Sequence, residues 1–401
     1  METKIKYQYT YFIKPFKIEE KQYNTYVLKL LKDSKLKLKI FNLEKDVEID
    51  TYFQENIKKI MFETLSYNKE QLKELENIEE SIYSKVSNIP CICFEYQLEQ
   101  NTQAKMGEEN GIFFRIEKIN IVCFKPGICF ILIKTFLEEN ATFNDVLNFN
   151  YKLKKINEPA ENHNNYEKIN LQASNLADKS ELLEILQELT GNNLDREAFY
   201  TFSYLCIDGE EWNENKSFDN INMNFTKLVN VIPANENIKN EIDTINKSEY
   251  IKIGIDQNST ALITNSLDAY NYTKLPFEYE NQYLYTLIYV WYQKMILNGF
   301  ESELKGKYNY KTFKEKFTNF INNIWAKEIT TDVSGMKLYK VWREKLKLEN
   351  TYLEIVNKCE MTYKEERTRK SRRTSKIMWT ILAMCLIVNT INILVLINIA
   401  K

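Results

Sequence analysis

The 401-residue sequence predicts an α+β cytoplasmic domain, with a central sheet and flanking helices, followed by a helical layer, a long stalk helix and one C-terminal transmembrane helix. Three observations point to this. Strand-like and helix-like segments alternate up to about residue 275, and the pattern turns helical from Pro276 onward. The chain then closes on Ile377–Ala400, 24 residues without a charge, directly after the basic run "RTRKSRRTSK".

Residues 1–155 read as an N-terminal α/β domain. "YQYTYFIKPF" carries β-favouring aromatics, "FQENIKKIMFETLSYNKEQLKELENIEESIYSKVS" has apolar residues at helical spacing, and "CICFEYQLE", "GIFFRIEKINIVCF" and "GICFILIKTF" look like strands. Residues 156–180 are polar and read as a linker or loop. Residues 181–275 form the second part of the α/β domain, with strand candidates in "REAFYTFSYLCID" and "YIKIGIDQNSTALIT" and the stretch "KSFDNINMNFTKLVNVI" between them. Sequence leaves open whether these complete the first sheet or build another lobe.

Residues 276–335 are the helical layer. Leu284, Leu287, Ile288, Trp291, Met295 and Ile296 share one broad face, with Gly299 near the expected stop. Neither proline nor glycine follows Gly335, so residues 336–376 are expected as one stalk helix running from about Met336 through the basic end into 377–400.

As one helix, Ile377–Ala400 would be about 36 Å long at about 1.5 Å per residue, enough to cross a hydrocarbon core about 30 Å thick. Its position is wrong for a cleaved secretory signal. Arg367, Arg369, Lys370, Arg372, Arg373 and Lys376 precede it and only Lys401 follows, which orients the long N-terminal part into the cytoplasm at the inner membrane. The six basic side chains are expected at the interface, against anionic lipid of the bilayer. Met378, Leu382, Cys385, Asn389, Asn392 and Leu396 follow alternating four- and three-residue steps, the rhythm of a helix that packs on copies of itself. Two amides on that stripe find partners in a neighbouring helix or a wet pore rather than in lipid. The stripe therefore predicts a homo-oligomer with a helix seam or pore, and spacing leaves open whether its centre is closed.

Composition narrows the chemistry. Lys+Arg 54 against Asp+Glu 56 gives a net charge of −2, so direct nucleic-acid binding is not expected. Seven cysteines, odd in number and scattered, read as reduced core residues. The single histidine, His163, lies in a polar stretch, and the nine glycines form no phosphate loop. No catalytic residue is assigned and an enzyme is not expected. Asp208, Glu210, Glu211 and Asp219 in "CIDGEEWNENKSFDN" supply carboxylates, yet Asp-Gly after a strand reads first as a turn. Cys91 and Cys93 share a strand face and read as core, and "GIDQNST" reads equally as a nucleotide-facing loop and as a hairpin tip. Ligand-binding and metal residues are left unassigned.

Several phrases carry a resemblance: "GICFILIKTF" followed by "FNDVLNFNYKLKKI", "NSTALITN" before a tyrosine-rich helix, and "NNIWAKEITTDVSGMKLYKVWREKLKLENTYLEIVNK" leading into the stalk. Together they cover most of residues 110–400, and their order resembles the CorA-like superfamily of magnesium channels, including the CorA-like effectors of type III CRISPR systems. The resemblance implies five subunits around a pore, a cytoplasmic funnel that gates it, and a role as an antiviral defence effector. It also implies a nucleotide second messenger as activator, such as S-adenosylmethionine joined to AMP, or a divalent cation. Magnesium-carrying members follow the first membrane helix with Gly-Met-Asn and a second membrane helix; here the sequence ends at Lys401, and Gly335-Met336 is followed by Lys337. The expectation is thus a membrane-anchored, homo-oligomeric channel or effector gated by a ligand-sensing cytoplasmic domain. The alternatives are a tail-anchored scaffold that recruits a cytosolic partner, a divalent-cation transporter relative, and a tethered enzyme built on the acids near Asp208.

Overall fold

Alternating aromatic and β-branched residues give three of the longest strands of the protein, β1 (Ile5–Lys17), β5 (Ile112–Phe124) and β6 (Ile128–Leu137), which lie side by side at the centre of one mixed sheet. The structure is a computed structural model. It describes residues 3–399 except 77–82, 99–101, 107–110, 139, 157–168, 173–179, 210–214, 239–241 and 307–308, and leaves out the side chains of 172, 180, 215–220, 366 and 389–399.

The remaining strands are β2 (Leu36–Lys39), β3 (Cys91–Tyr96), β4 (Gln103–Met106), β7 (Ile169–Gln172), β8 (Ser180–Glu181), β9 (Tyr200–Ile207), β10 (Asp243–Ser248), β11 (Ile251–Asp256) and β12 (Ser259–Asn265). Among the described residues the order is β10-β11-β12-β9-β1-β6-β5-β4-β7-β8. The 13-residue β5 is long enough to pair twice on its outer edge, with β4 over its first residues and with β3 over Ile119–Phe124, and β2 continues from β3. Among the described residues only β9 and β12 run parallel, and the other pairs are antiparallel. The strands on both sides of residues 156–180 thus share one sheet, and part of that polar stretch is itself β7. "KSFDNINMNFTKLVNVI" forms the helix Asn215–Asn230, which places Ile221, Phe225, Leu228 and Val229 in the core.

The two sheet faces differ. On one, Ile119, Ile121 and Cys123 of β5 and Cys129, Ile131 and Ile133 of β6 meet the helices Tyr23–Lys32, Phe143–Leu153 and Leu182–Leu189 in a mainly hydrocarbon core, in which Lys14 is a buried charge. The other face is covered by the chain from Tyr270 to Met295 and by the helix Val333–Lys345. Here aromatic rings stack, Phe124 on Tyr292 and Phe202 on Tyr279, each pair with centroids 4.1 Å apart. Two buried hydroxyls bond carbonyls, Tyr9 donating to that of Pro276 at 2.8 Å and Tyr289 to that of Ile324 at 2.6 Å. Gly335 belongs to this packing, because a Cβ there would sit 2.1 Å from the Tyr52 hydroxyl oxygen.

By contact, Met1–Met295 with Asn323–Lys347 forms one unit and Ile296–Asn322 with Leu348–Lys401 a second. In the second unit, the Phe300 ring lies 5.4, 5.3 and 5.7 Å from those of Phe313, Phe317 and Phe320. The helical region departs from expectation at two points. The helix expected to stop near Gly299 runs to Lys305. The expected single stalk helix is two, Val333–Lys345 and Leu348–Ile399, separated where Lys347 takes a φ of 56° and the Leu346 and Lys347 amides bond back to Trp342 and Glu344. A lysine in the left-handed region gives no sequence signal, unlike the usual glycine.

Candidate functional site

A buried charge cluster stands out on the tyrosine face. It starts from a β-bulge. Ile116 pairs with Thr135 but Lys118 pairs with Lys134, so Glu117 is an extra residue in β5. Its consequence is that Glu117 and Lys118, neighbours in sequence, both reach partners on one side of the sheet. Lys118 then stands directly opposite Lys134, a like-charge pair that destabilises a sheet unless neutralised.

Glu280 neutralises it. Its Oε1 accepts from Lys118 and, at 2.6 Å, from the Tyr11 hydroxyl, while its Oε2 accepts from Lys134 at 2.6 Å. Lys134 also bonds Glu117 Oε2 at 2.8 Å and lies 4.6 Å from the Tyr9 ring centroid. The Lys134 and Glu280 side chains are 6% and 11% exposed, so this is an interior cluster, and Glu117 at 43% is its opening to solvent. Burial alone would raise the Glu280 pKa; the charges and hydrogen bonds of Lys118 and Lys134 outweigh it and hold the carboxyl down at about 2. Burial likewise works against the Lys134 ammonium, and Glu280 and Glu117 more than restore it. The Tyr11 hydroxyl is pushed well up, first by burial and then by the adjacent carboxylate. Glu280 sits in a π-helical turn, Tyr279–Leu284, a conformation concentrated at functional sites.

Beside the cluster opens a cleft of about 910 Å³ at one end of the sheet, lined by the start of β1, the ends of β6 and β9 and the first residues of β4 and β5. Tyr7, Arg115 and Phe136 form its wall next to the cluster, the Arg115 guanidinium lying 5.1 Å from the Phe136 centroid and Lys134 5.4 Å from the same ring. A second bulge serves it: Ile5 pairs with Ile207 but Tyr7 with Cys206, which makes Lys6 the extra residue of β1 and another lining residue.

The structure distributes the residues singled out from sequence as follows. Asp208 lines this cleft, its amide donating to the Lys4 carbonyl. Glu210, Glu211 and His163 lie outside the described residues, as does the side chain of Asp219 in the helix Asn215–Asn230. Cys91 and Cys93 are buried on β3, and "GIDQNST" spans the β11–β12 hairpin turn. Among the described residues no group of three or more His, Cys, Asp or Glu side chains could hold a metal ion. Arg367, Arg369, Lys370, Arg372, Arg373 and Lys376 are all exposed on the helix Leu348–Ile399. Met378, Leu382 and Cys385 are exposed on the same helix; the side chains of Asn389, Asn392 and Leu396 lie outside the described residues. Among the described residues no helix is long and apolar enough to cross a membrane.

Sequence reading passed over Arg115, Glu117, Lys118, Lys134 and Glu280. A signal was present in "ICFILIKTFL", where a lysine interrupts a buried strand and must find a carboxylate. Which carboxylate it finds, 146 positions along the chain, only the fold tells.

No family model matches the chain, and no curated protein matches it.

Proposed function

We propose that this protein is a membrane-anchored homo-oligomer of the CorA-like kind, a channel or effector whose sheet domain senses a small ligand and governs a bundle of C-terminal helices. The observation that carries this reading is the helix Leu348–Ile399. It presents six exposed basic side chains and then Ile377, Met378, Trp379, Ile381, Leu382, Met384, Leu386, Ile387 and Val388, all exposed and on every side of the helix. A helix apolar all round is at home in lipid or among other helices, not in water. The basic run fits anionic headgroups on the cytoplasmic side. Support for ligand sensing comes from the open cleft beside a π-turn and two bulges. A nucleotide-type activator, a pentameric assembly and a place in antiviral defence follow from the resemblance and belong to the same proposal.

The test is the native mass of the full chain in nanodiscs, with ion flux measured on the same protein in vesicles. A defined ring whose mass drops on replacing Asn389 and Asn392 with leucine is the expected result. A monomer firmly held in the nanodisc would overturn the oligomer and leave the tail-anchored scaffold. Failure to enter nanodiscs at all would overturn the membrane reading.

A further inference from the structure

The charges around the cleft are not equivalent. Lys118 and Lys134 are held by Glu280 and Glu117, whereas among the described residues neither Arg115 nor Lys6 is in an ion pair. Each is instead set against a ring: the Arg115 guanidinium over Phe136 at 5.1 Å, the Lys6 ammonium over Tyr272 at 5.7 Å. Of the carboxylates at the cleft, Asp208 already has a partner and Glu138 stands exposed at the rim. The same cleft offers two half-buried rings, Tyr7 and Phe136, 5.9 Å apart and edge to face. Its volume, about 910 Å³, falls in the range of small-molecule sites.

We infer that this cleft binds a small oxyanion carried on a planar ring, with Arg115 and Lys6 engaging the oxyanion and the Tyr7 and Phe136 rings contacting the planar part. A guanidinium offers forked donors to phosphate or carboxylate, and its place on a ring face fixes its plane. The rings give the second half of the ligand an apolar surface that inorganic anions cannot use. A metal ion is the wrong occupant, since the side chains nearest the wall are cationic and no cluster of three ligating side chains exists among the described residues. Phe136 is the ring that Lys134 also packs against, so an occupant touches the wall of the Glu280 cluster without displacing any of its partners.

The inference names the ligand class for the sensing part of the proposed function and rests on that part alone, not on the anchor or the oligomer. Phenyl phosphate, benzoate and inorganic phosphate are titrated calorimetrically into the full chain in nanodiscs, whose native mass is recorded on the same sample. Saturable phenyl phosphate binding is expected, at least tenfold weaker in Arg115→Glu and in Lys6→Glu, with inorganic phosphate weaker than phenyl phosphate in the parent protein. Phe136→Leu should narrow the gap between those two probes. Tighter benzoate than phenyl phosphate would assign the carboxylate rather than the phosphate arm of the same chemistry. Three results overturn the inference: no saturable binding of any ring-bearing anion, equal binding by Arg115→Glu, and binding of magnesium ion alone that Arg115→Glu leaves intact. Lys85→Glu, at an exposed position that does not line the cleft, serves as the charge control. A monomeric mass with intact phenyl phosphate binding would remove the oligomer and leave the cleft assignment standing.

Discussion

The two faces of the sheet solve the same problem with different chemistry. One buries chiefly hydrocarbon, Ile121, Ile131, Ile133 and their helix partners, with a buried lysine, Lys14, whose ammonium donates to the Glu197 carbonyl at 2.7 Å and pairs with Asp195 at the edge. The other buries Tyr9, Tyr11 and Tyr204, whose hydroxyls bond the Pro276 carbonyl, Glu280 and the Asn271 carbonyl, together with a glutamate and two lysines that must each be partnered in a fixed direction. Hydrocarbon tolerates rearrangement. A network of directional bonds admits one arrangement; it reaches solvent through Glu117, and the cleft opens on its Tyr7 and Phe136 side.

The contrast is broken most severely at Glu280. Glu280→Ala leaves Lys118 and Lys134 facing each other with one exposed glutamate between them, and should cost about 3–5 kcal/mol in chemical denaturation followed by tyrosine signal. Adding Lys134→Met should recover part of that loss, because the second change removes the uncompensated charge. A cost below about 1 kcal/mol for Glu280→Ala, within the range of an exposed ion pair, would mean that the cluster is solvated and the two faces are alike.

Acid probes the same cluster without mutation. The folded carboxyl of Glu280 titrates at about 2, below its ordinary 4.5, so between those values the unfolded chain binds more protons than the folded one. The stability it contributes is fully present above about pH 4.5 and is lost as pH falls towards 2, by about 3 kcal/mol. Glu280→Gln should flatten that segment of the stability curve relative to the parent protein. Parallel curves for the two would refute the assignment.

A smaller effect is expected at Tyr11→Phe, which keeps the ring and removes the 2.6 Å bond to Glu280. The loss should be about 1.5–3 kcal/mol, the range for a hydrogen bond to a charged group. An unchanged midpoint would place the hydroxyl outside the network.

Much of the sheet was legible because strands such as "GICFILIKTF" and "TFSYLCI" are apolar runs of the right length and β-rich composition. The tyrosine face was not, since Tyr9 and Tyr11 read as strand residues without saying that their hydroxyls end on Pro276 and Glu280, more than 260 positions away. Glu280 itself looks like one more polar residue in "EYENQY"; its role depends on the π-turn and on a bulge at Glu117, and neither leaves a composition signature. The stalk shows the converse error. Helix propensity is continuous through Lys347, yet the chain breaks there for reasons of backbone geometry.

The mildest prediction tests the hydrocarbon face. Ile131 is fully buried in β6, opposite Lys14 on β1 and Ile121 on β5. Ile131→Val removes one methylene and leaves no polar group unpaired, so it should cost about 0.5–1.5 kcal/mol, measured as a shift of the denaturation midpoint. Ile131→Thr has the shape of valine and adds a hydroxyl, so the difference between the two variants isolates the cost of a polar atom among these neighbours. A clear extra penalty for threonine is expected if the face is as dry as its residues suggest. Equal midpoints for valine and threonine would mean that a hydroxyl finds a partner at this position as the Lys14 ammonium does on Glu197, and the division of labour between the two sides of the sheet would not hold.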